Sequence, residues 1–190
     1  MNGIVQYVTD TSKWEDWQRD YRLGLILIMP PPEVVDAIDP LRAKYDPKAF
    51  HSCPTHISLS DPLRLEMTQE LDDGITEILR GVAPFELHYD EPLASRDHAG
   101  VAYLITPQEP IDELKEELHK AAVFEGKVYG RRDIPAHMTI AEFVTIEESW
   151  QIYEEIKDIA PSGSFLCDRL EFIVPDINMQ FQRVKTYRLR

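Results

Sequence analysis

Two hexapeptides in this chain, Pro54-Thr55-His56-Ile57-Ser58-Leu59 and Pro135-Ala136-His137-Met138-Thr139-Ile140, obey one pattern: Pro, any residue, His, apolar, Ser or Thr, apolar. Each follows a loop-like stretch and opens a run of alternating apolar residues, which reads as a strand. Successive strand side chains point to opposite faces, so Ile57 and Leu59 can enter a core while His56 and Ser58 point together to the other side. Met138 and Ile140 stand against His137 and Thr139 in the same way. At ordinary residue frequencies, two such hexapeptides arise in one chain on the order of once in tens of thousands of sequences. Either histidine alone would read as a hydrogen-bonded structural residue or an exposed strand position. Together they read as a matched functional pair, because proton transfer needs an acid and a base.

Around the repeat, the run from Gly24 to Met29 is a short buried strand, stopped by Pro30, Pro31 and Pro32, which cannot donate to a sheet ladder. Further strands are expected over 55–60, 85–89, 101–105, 136–143, 165–174 and 181–189. Apolar residues recur at helical spacing in four segments: Val34, Ile38, Leu41; Met67, Leu71, Ile75, Leu79; Ile111, Leu114, Leu118; and Ile146, Trp150, Tyr153, Ile156. The first is the most vulnerable helix because Pro40 falls inside it. Pro110 suits a first helical turn, and Thr145 with Glu148 fits a capping box. Trp14, Trp17 and Tyr21 are also helically spaced and read as a docked extra helix rather than a base-stacking platform. The mixture implies an α+β or α/β fold. At 190 residues and 43% hydrophobic content, one domain over 1–190 is expected, with 1–23 as a helical N-terminal extension.

A net charge of -14 excludes a broad electrostatic footprint on a nucleic-acid backbone, which needs Lys and Arg to displace counterions. A small or terminal phosphate needs only a local positive spot, and Lys127, Arg131 and Arg132 cluster just before the second motif. With Tyr129, those arginines are candidate substrate contacts; a solvated basic loop is the alternative. The start Met1-Asn2-Gly3-Ile4-Val5-Gln6 lacks the features of a signal peptide and no apolar run would span a bilayer, so a cytoplasmic protein without membrane contact is expected. Cys53 and Cys167 sit in no CxxC and read as reduced, packed thiols. None of His51, His56, His88, His98, His119 and His137 falls in an HExxH pattern, there is no G-x-S-x-G elbow, and no glycine-rich phosphate loop is present. No metal or other cofactor is expected.

The paired His56-Ile57-Ser58-Leu59 and His137-Met138-Thr139-Ile140 resemble the signature of the two-histidine phosphoesterase superfamily, which includes 2'-5' RNA ligase-like proteins and RNA 2',3'-cyclic phosphodiesterases. The resemblance runs from Leu25 to the C-terminal strands and leaves residues 1–23 uncovered. It implies an α+β fold of two pseudo-symmetric lobes, with antiparallel sheets lining a central cleft and helices outside. One motif from each lobe would face the cleft. It further implies hydrolysis of a nucleoside or RNA-terminal 2',3'-cyclic phosphate to a 2'-phosphate.

Opening such a ring by in-line attack takes a proton from water on one side of phosphorus and delivers one to the leaving oxygen on the other. Two imidazoles, with ordinary pKa near 6.5, can divide that work. We assign water activation to His137 and protonation of the leaving oxygen to His56, the reverse being chemically equivalent. Ser58 and Thr139 are expected to donate hydrogen bonds to the non-bridging phosphate oxygens. The substrate would be a small nucleotide or RNA terminus, handled by a monomer. Two rival readings stay open: cleavage of 3'-5' or cyclic oligonucleotides or 2'-5' ligation by the same pair, and a domain that binds nucleotides without turnover.

Overall fold

The computed structural model describes residues 5–125, 130 and 134–190. Tyr129, Arg131, Arg132 and Lys127 lie outside the described residues.

Among the described residues, eight antiparallel strands form one continuous sheet. In chain order they are β1 (Leu25–Ile28), β2 (Ile57–Ser58), β3 (Phe85–Ala94), β4 (Val101–Thr106), β5 (His137–Ala141), β6 (Gly163–Cys167), β7 (Arg169–Pro175) and β8 (Phe181–Arg188). Their spatial order is β6-β3-β4-β5-β2-β1-β7-β8, which splits into two four-stranded halves meeting at the β5-β2 seam. Asp168 alone separates β6, at one edge, from β7, next to the other edge. A one-residue link cannot cross a flat sheet, so the strands curl into a half-barrel.

The expected strand over 165–174 is therefore two strands that belong to opposite halves. Phe165 and Cys167 are buried before Asp168, and Leu170, Phe172 and Val174 after it. The positions that join the main core change from odd to even numbers there, which a single strand of period 2 cannot do. β3 runs five residues beyond the expected Tyr89, through a bulge and Pro92. Pro92 is tolerated because β6 pairs with β3 only as far as Tyr89, leaving that side of the strand without a partner.

The helices lie on one face: α1 (Asp16–Arg19), α2 (Pro32–Tyr45), α3 (Pro47–Ser52), α4 (Gln69–Leu79), α5 (Glu109–Leu118) and α6 (Ile146–Ile156), with α1 and α3 the exceptions beside the cleft. Pro40 does not break α2, which continues to Tyr45. Thr68 caps α4 by accepting from the Leu71 N–H, and Thr145 with Glu148 forms the expected capping box of α6. Beneath the helices, Ile26, Ile28, Ile57, Leu59, Met138, Ile140, Tyr103 and Ile105 are fully buried in one core. Each such side chain contributes about 1.5–3 kcal/mol by leaving water. That burial locks the register, and the alternate residues of the same strands are consequently held on the other, cleft-facing side.

Residues before β1 form α1 and a 3-10 turn, Asp20–Leu23, then reach Gly24. Gly24 has φ +82° and passes so close to β7 that an added Cβ would lie 2.1 Å from the Ile173 carbonyl oxygen. Only glycine fits that crossing without displacement. No helix among the described residues is long and apolar enough to cross a membrane.

Candidate active site

The two hexapeptides meet at the seam. β2 pairs with β5 in an antiparallel register that sets Ile57 opposite Met138. Continuing that register places Ser58 opposite His137 and His56 opposite Thr139, all four on the cleft face. Each histidine thus stands across from the hydroxyl of the other motif. The two histidines are diagonal neighbours, a relation that separates backbones by about 7–8 Å and leaves room for a group between the rings. His56, Ser58, His137 and Thr139 all line one cavity of about 140 Å³.

The proline of the pattern has a local purpose. His56 Nδ1 lies 2.7 Å from the Pro54 carbonyl oxygen, and His137 Nδ1 lies 2.8 Å from that of Pro135. A carbonyl can only accept, so Nδ1 carries the proton in both rings and Nε2 is the nitrogen that can exchange a proton with a ligand. The residue between Pro and His is pinned as well. The Thr55 N–H and hydroxyl both donate to Asp39, at 2.8 and 2.7 Å. Ala136 N–H donates to Gln108 Oε1 at 2.7 Å, and Gln108 Nε2 returns a bond to the Ala136 carbonyl at 2.9 Å. A carboxylate in one half and an amide in the other therefore fix the two rings in the same way.

α2 connects the halves. Arg42, 1% exposed, donates from Nη1 to the Thr139 carbonyl at 2.8 Å and from Nη2 to the Cys53 carbonyl at 3.0 Å, while its Nε has no partner among the described residues. One turn on, Asp46 accepts from the Glu142 N–H at 2.9 Å. Among the described residues no carboxylate forms an ion pair with Arg42, so a buried positive charge sits against the cleft that an anion there would compensate. Sequence reading missed Arg42, although it falls four residues after Ile38 on the stripe of α2 that also buries Val34. A charge at a core-facing position was the available signal.

Neither the Ser58 nor the Thr139 hydroxyl is committed to a protein partner among the described residues, which leaves both open to a ligand. Cys53 lines the same cavity, but burial pushes its thiol up to about 12, so it is a packed group and not a nucleophile at neutral pH. His119 is structural: Nδ1–H donates to the Lys115 carbonyl at 2.6 Å, Nε2 accepts from the Asp61 N–H at 3.1 Å, and burial lowers its pKa. Among the described residues, no three His, Cys, Asp or Glu side chains converge as metal ligands would.

The wall of the cavity is aromatic. Trp17, Tyr21, Phe143 and Phe181 border it, together with Lys48 from α3. Sequence reading placed Trp17 and Tyr21 on a docked helix but gave them no part in the site, and it gave none to Lys48 or Phe143.

No curated protein matches the chain significantly. Among solved structures it is similar to E. coli LigT in apo form, with a TM-score of 0.58 and 18% identity over 87% of this chain and 95% of that one. It is similar to E. coli LigT complexed with 3'-AMP, with a TM-score of 0.56 and 20% identity over 87% and 96%. TT0787 of Thermus thermophilus gives a TM-score of 0.58 and 14% identity over 87% and 97%. At these identities the likeness establishes the fold. The sequence profile of the 2'-5' RNA ligase superfamily matches residues 30–177, a span that holds both histidine motifs and most of the sheet, and this chain belongs to that superfamily.

Proposed function

We propose that the chain is a cytoplasmic phosphodiesterase that hydrolyses a nucleoside or RNA-terminal 2',3'-cyclic phosphate to a 2'-phosphate. The observation that carries this reading is the crosswise seating of two identical devices, His56 beside Thr139 and His137 beside Ser58, at the Ile57–Met138 pair. With both Nδ1 atoms committed to carbonyls, each Nε2 can act as base when neutral and as acid when protonated.

In the proposed step, phosphate sits between the rings. His137 Nε2 takes a proton from water as its oxygen bonds to phosphorus. The bond from phosphorus to O3' breaks, and the proton on His56 Nε2 passes to O3'. Ser58 and Thr139 hydroxyls donate to the non-bridging oxygens, where charge accumulates. Proton exchange with solvent then restores both rings. The buried Arg42 adds positive potential beside the cleft.

A similar fold has been solved with 3'-AMP bound in E. coli LigT, which agrees with a nucleotide ligand here. The net charge of -14 favours a small or terminal phosphate over a long nucleic acid. We take the working unit to be one domain acting as a monomer without a cofactor.

The test is turnover of the four nucleoside 2',3'-cyclic phosphates by wild type, His56→Ala and His137→Ala. Hydrolysis lost in both variants is the expected result. Full turnover in either variant would refute paired catalysis. Joining of RNA ends in place of hydrolysis would favour the ligase activity of the same pair.

A further inference from the structure

We propose that Trp17, together with Phe143 and Tyr21, forms a subsite for one nucleobase, so that the substrate is a single or terminal nucleotide whose base lies in the His56 half of the cleft. The proposal rests on the reading of the cleft as a nucleotide phosphate site and adds which chemistry is recognised beside it.

Trp17 and Tyr21 precede residue 30, where the family match begins, whereas Phe143 lies within the matched span. The segment is firmly seated. Trp14 is 5% exposed and its indole N–H donates to the Ile177 carbonyl at 3.0 Å. Glu15 accepts from the Trp17 indole N–H at 2.8 Å and pairs with Lys48 at 2.9 Å. The Gly24 crossing then fixes the direction in which the chain leaves. A ring held this well for packing alone would be expected to be buried, yet Trp17 is 39% exposed and borders the cavity that holds His56 and His137.

Its neighbours continue the wall. Trp17 lies 5.9 Å from Phe143 and 6.1 Å from Tyr21 between ring centroids, and Tyr21 lies 6.1 Å from Phe181. Lys48 Nζ sits 4.4 Å from the Phe143 centroid and 5.7 Å from that of Trp17, and its ion pair with Glu15 ties both rings to α3. Aromatic walls bind bases of any sequence through their π-faces.

Calorimetric titration of adenosine 2'-monophosphate and of ribose 2-phosphate into wild type, Trp17→Ala and Phe143→Ala tests the subsite without requiring hydrolysis. Wild type should prefer the adenosine ligand by on the order of 5- to 150-fold, the range set by one base stacked on an aromatic side chain. The preference should collapse towards unity in Trp17→Ala and shrink in Phe143→Ala, which alters a separate element. A merely structural role would weaken both ligands together and keep their ratio. A preference that survives Trp17→Ala, or a wild type that does not distinguish the ligands or binds neither, overturns the subsite. Cyclic phosphate hydrolysis without any such preference would fault the subsite alone, whereas a Trp17-dependent preference in a protein that hydrolyses nothing would fault the hydrolytic reading alone.

Discussion

The two halves of the sheet deliver a histidine to the cleft by the same local device but differ in what covers them. In the half made by β2, β1, β7 and β8, the cleft-facing Leu25, Leu27 and Ile173 form a small apolar cluster with Cys53, packed under Tyr21 and Phe181. In the half made by β5, β4, β3 and β6, Leu104 stands beside His137 and is 40% exposed, and the adjoining cavity is wide, about 560 Å³. Among the described residues nothing like α1 or α3 lies over that side. The difference separates two requirements. Acid-base chemistry needs two imidazoles in equivalent settings, and the paired strands provide that. On the proposed reading, recognition needs asymmetry, because a nucleotide has a base at one end only, and the N-terminal segment would supply it.

If the halves are equivalent in chemistry, His56→Ala and His137→Ala should each lower kcat by about 1,000-fold, within the usual range for removing a general acid or base. Steady-state kinetics on one cyclic nucleotide checks this, and a gap of about 100-fold between the two variants would break the equivalence. Next in size, Ser58→Ala and Thr139→Val should each lower kcat by about 100-fold with little change in KM, as expected for donors that act on developing charge. A rise in KM alone would reduce the hydroxyls to ground-state binders.

Arg42→Met probes the connection between the halves. Two carbonyls that now accept from the guanidinium would lose their donor, at a cost of about 1–3 kcal/mol in stability. Denaturant unfolding and kinetics together should show that loss and a fall in kcat of about 10-fold. Lys at this position should not restore activity, since one ammonium lacks the fork that reaches both carbonyls. Smallest of all, alkylating reagents at about pH 8 should leave activity intact. With the Cys53 thiol pushed up to about 12, only about one in 10,000 is ionised at that pH, and that fraction rises only as pH climbs towards 12. Rapid inactivation traced to Cys53 would show an accessible thiolate in the covered half.

Much of this was readable from sequence where a local rule governs. The helix from Ile146 starts where Thr145 supplies the cap, because capping is decided within one turn. The motif strands follow from period-2 alternation around His56 and His137. What stayed hidden depends on chain crossings. The break at Asp168 lacks Gly or Pro and shows only as a change of parity in the residues that join the main core. α3 is six residues long, too short for helical periodicity to register. Arg42 and Phe143 reach the cleft only because α2 packs against β5 and the chain turns after Ala141. Trp17 illustrates the limit best: its helical spacing with Trp14 and Tyr21 was visible, but one side docks and the other borders the cavity.

The most direct test of the central claim is phosphorus NMR of wild-type protein incubated with adenosine 2',3'-cyclic phosphate in excess EDTA. The proposed step, with O3' as the leaving oxygen, predicts catalytic accumulation of adenosine 2'-monophosphate; a 3'-monophosphate product, or starting material that persists unchanged, would contradict it.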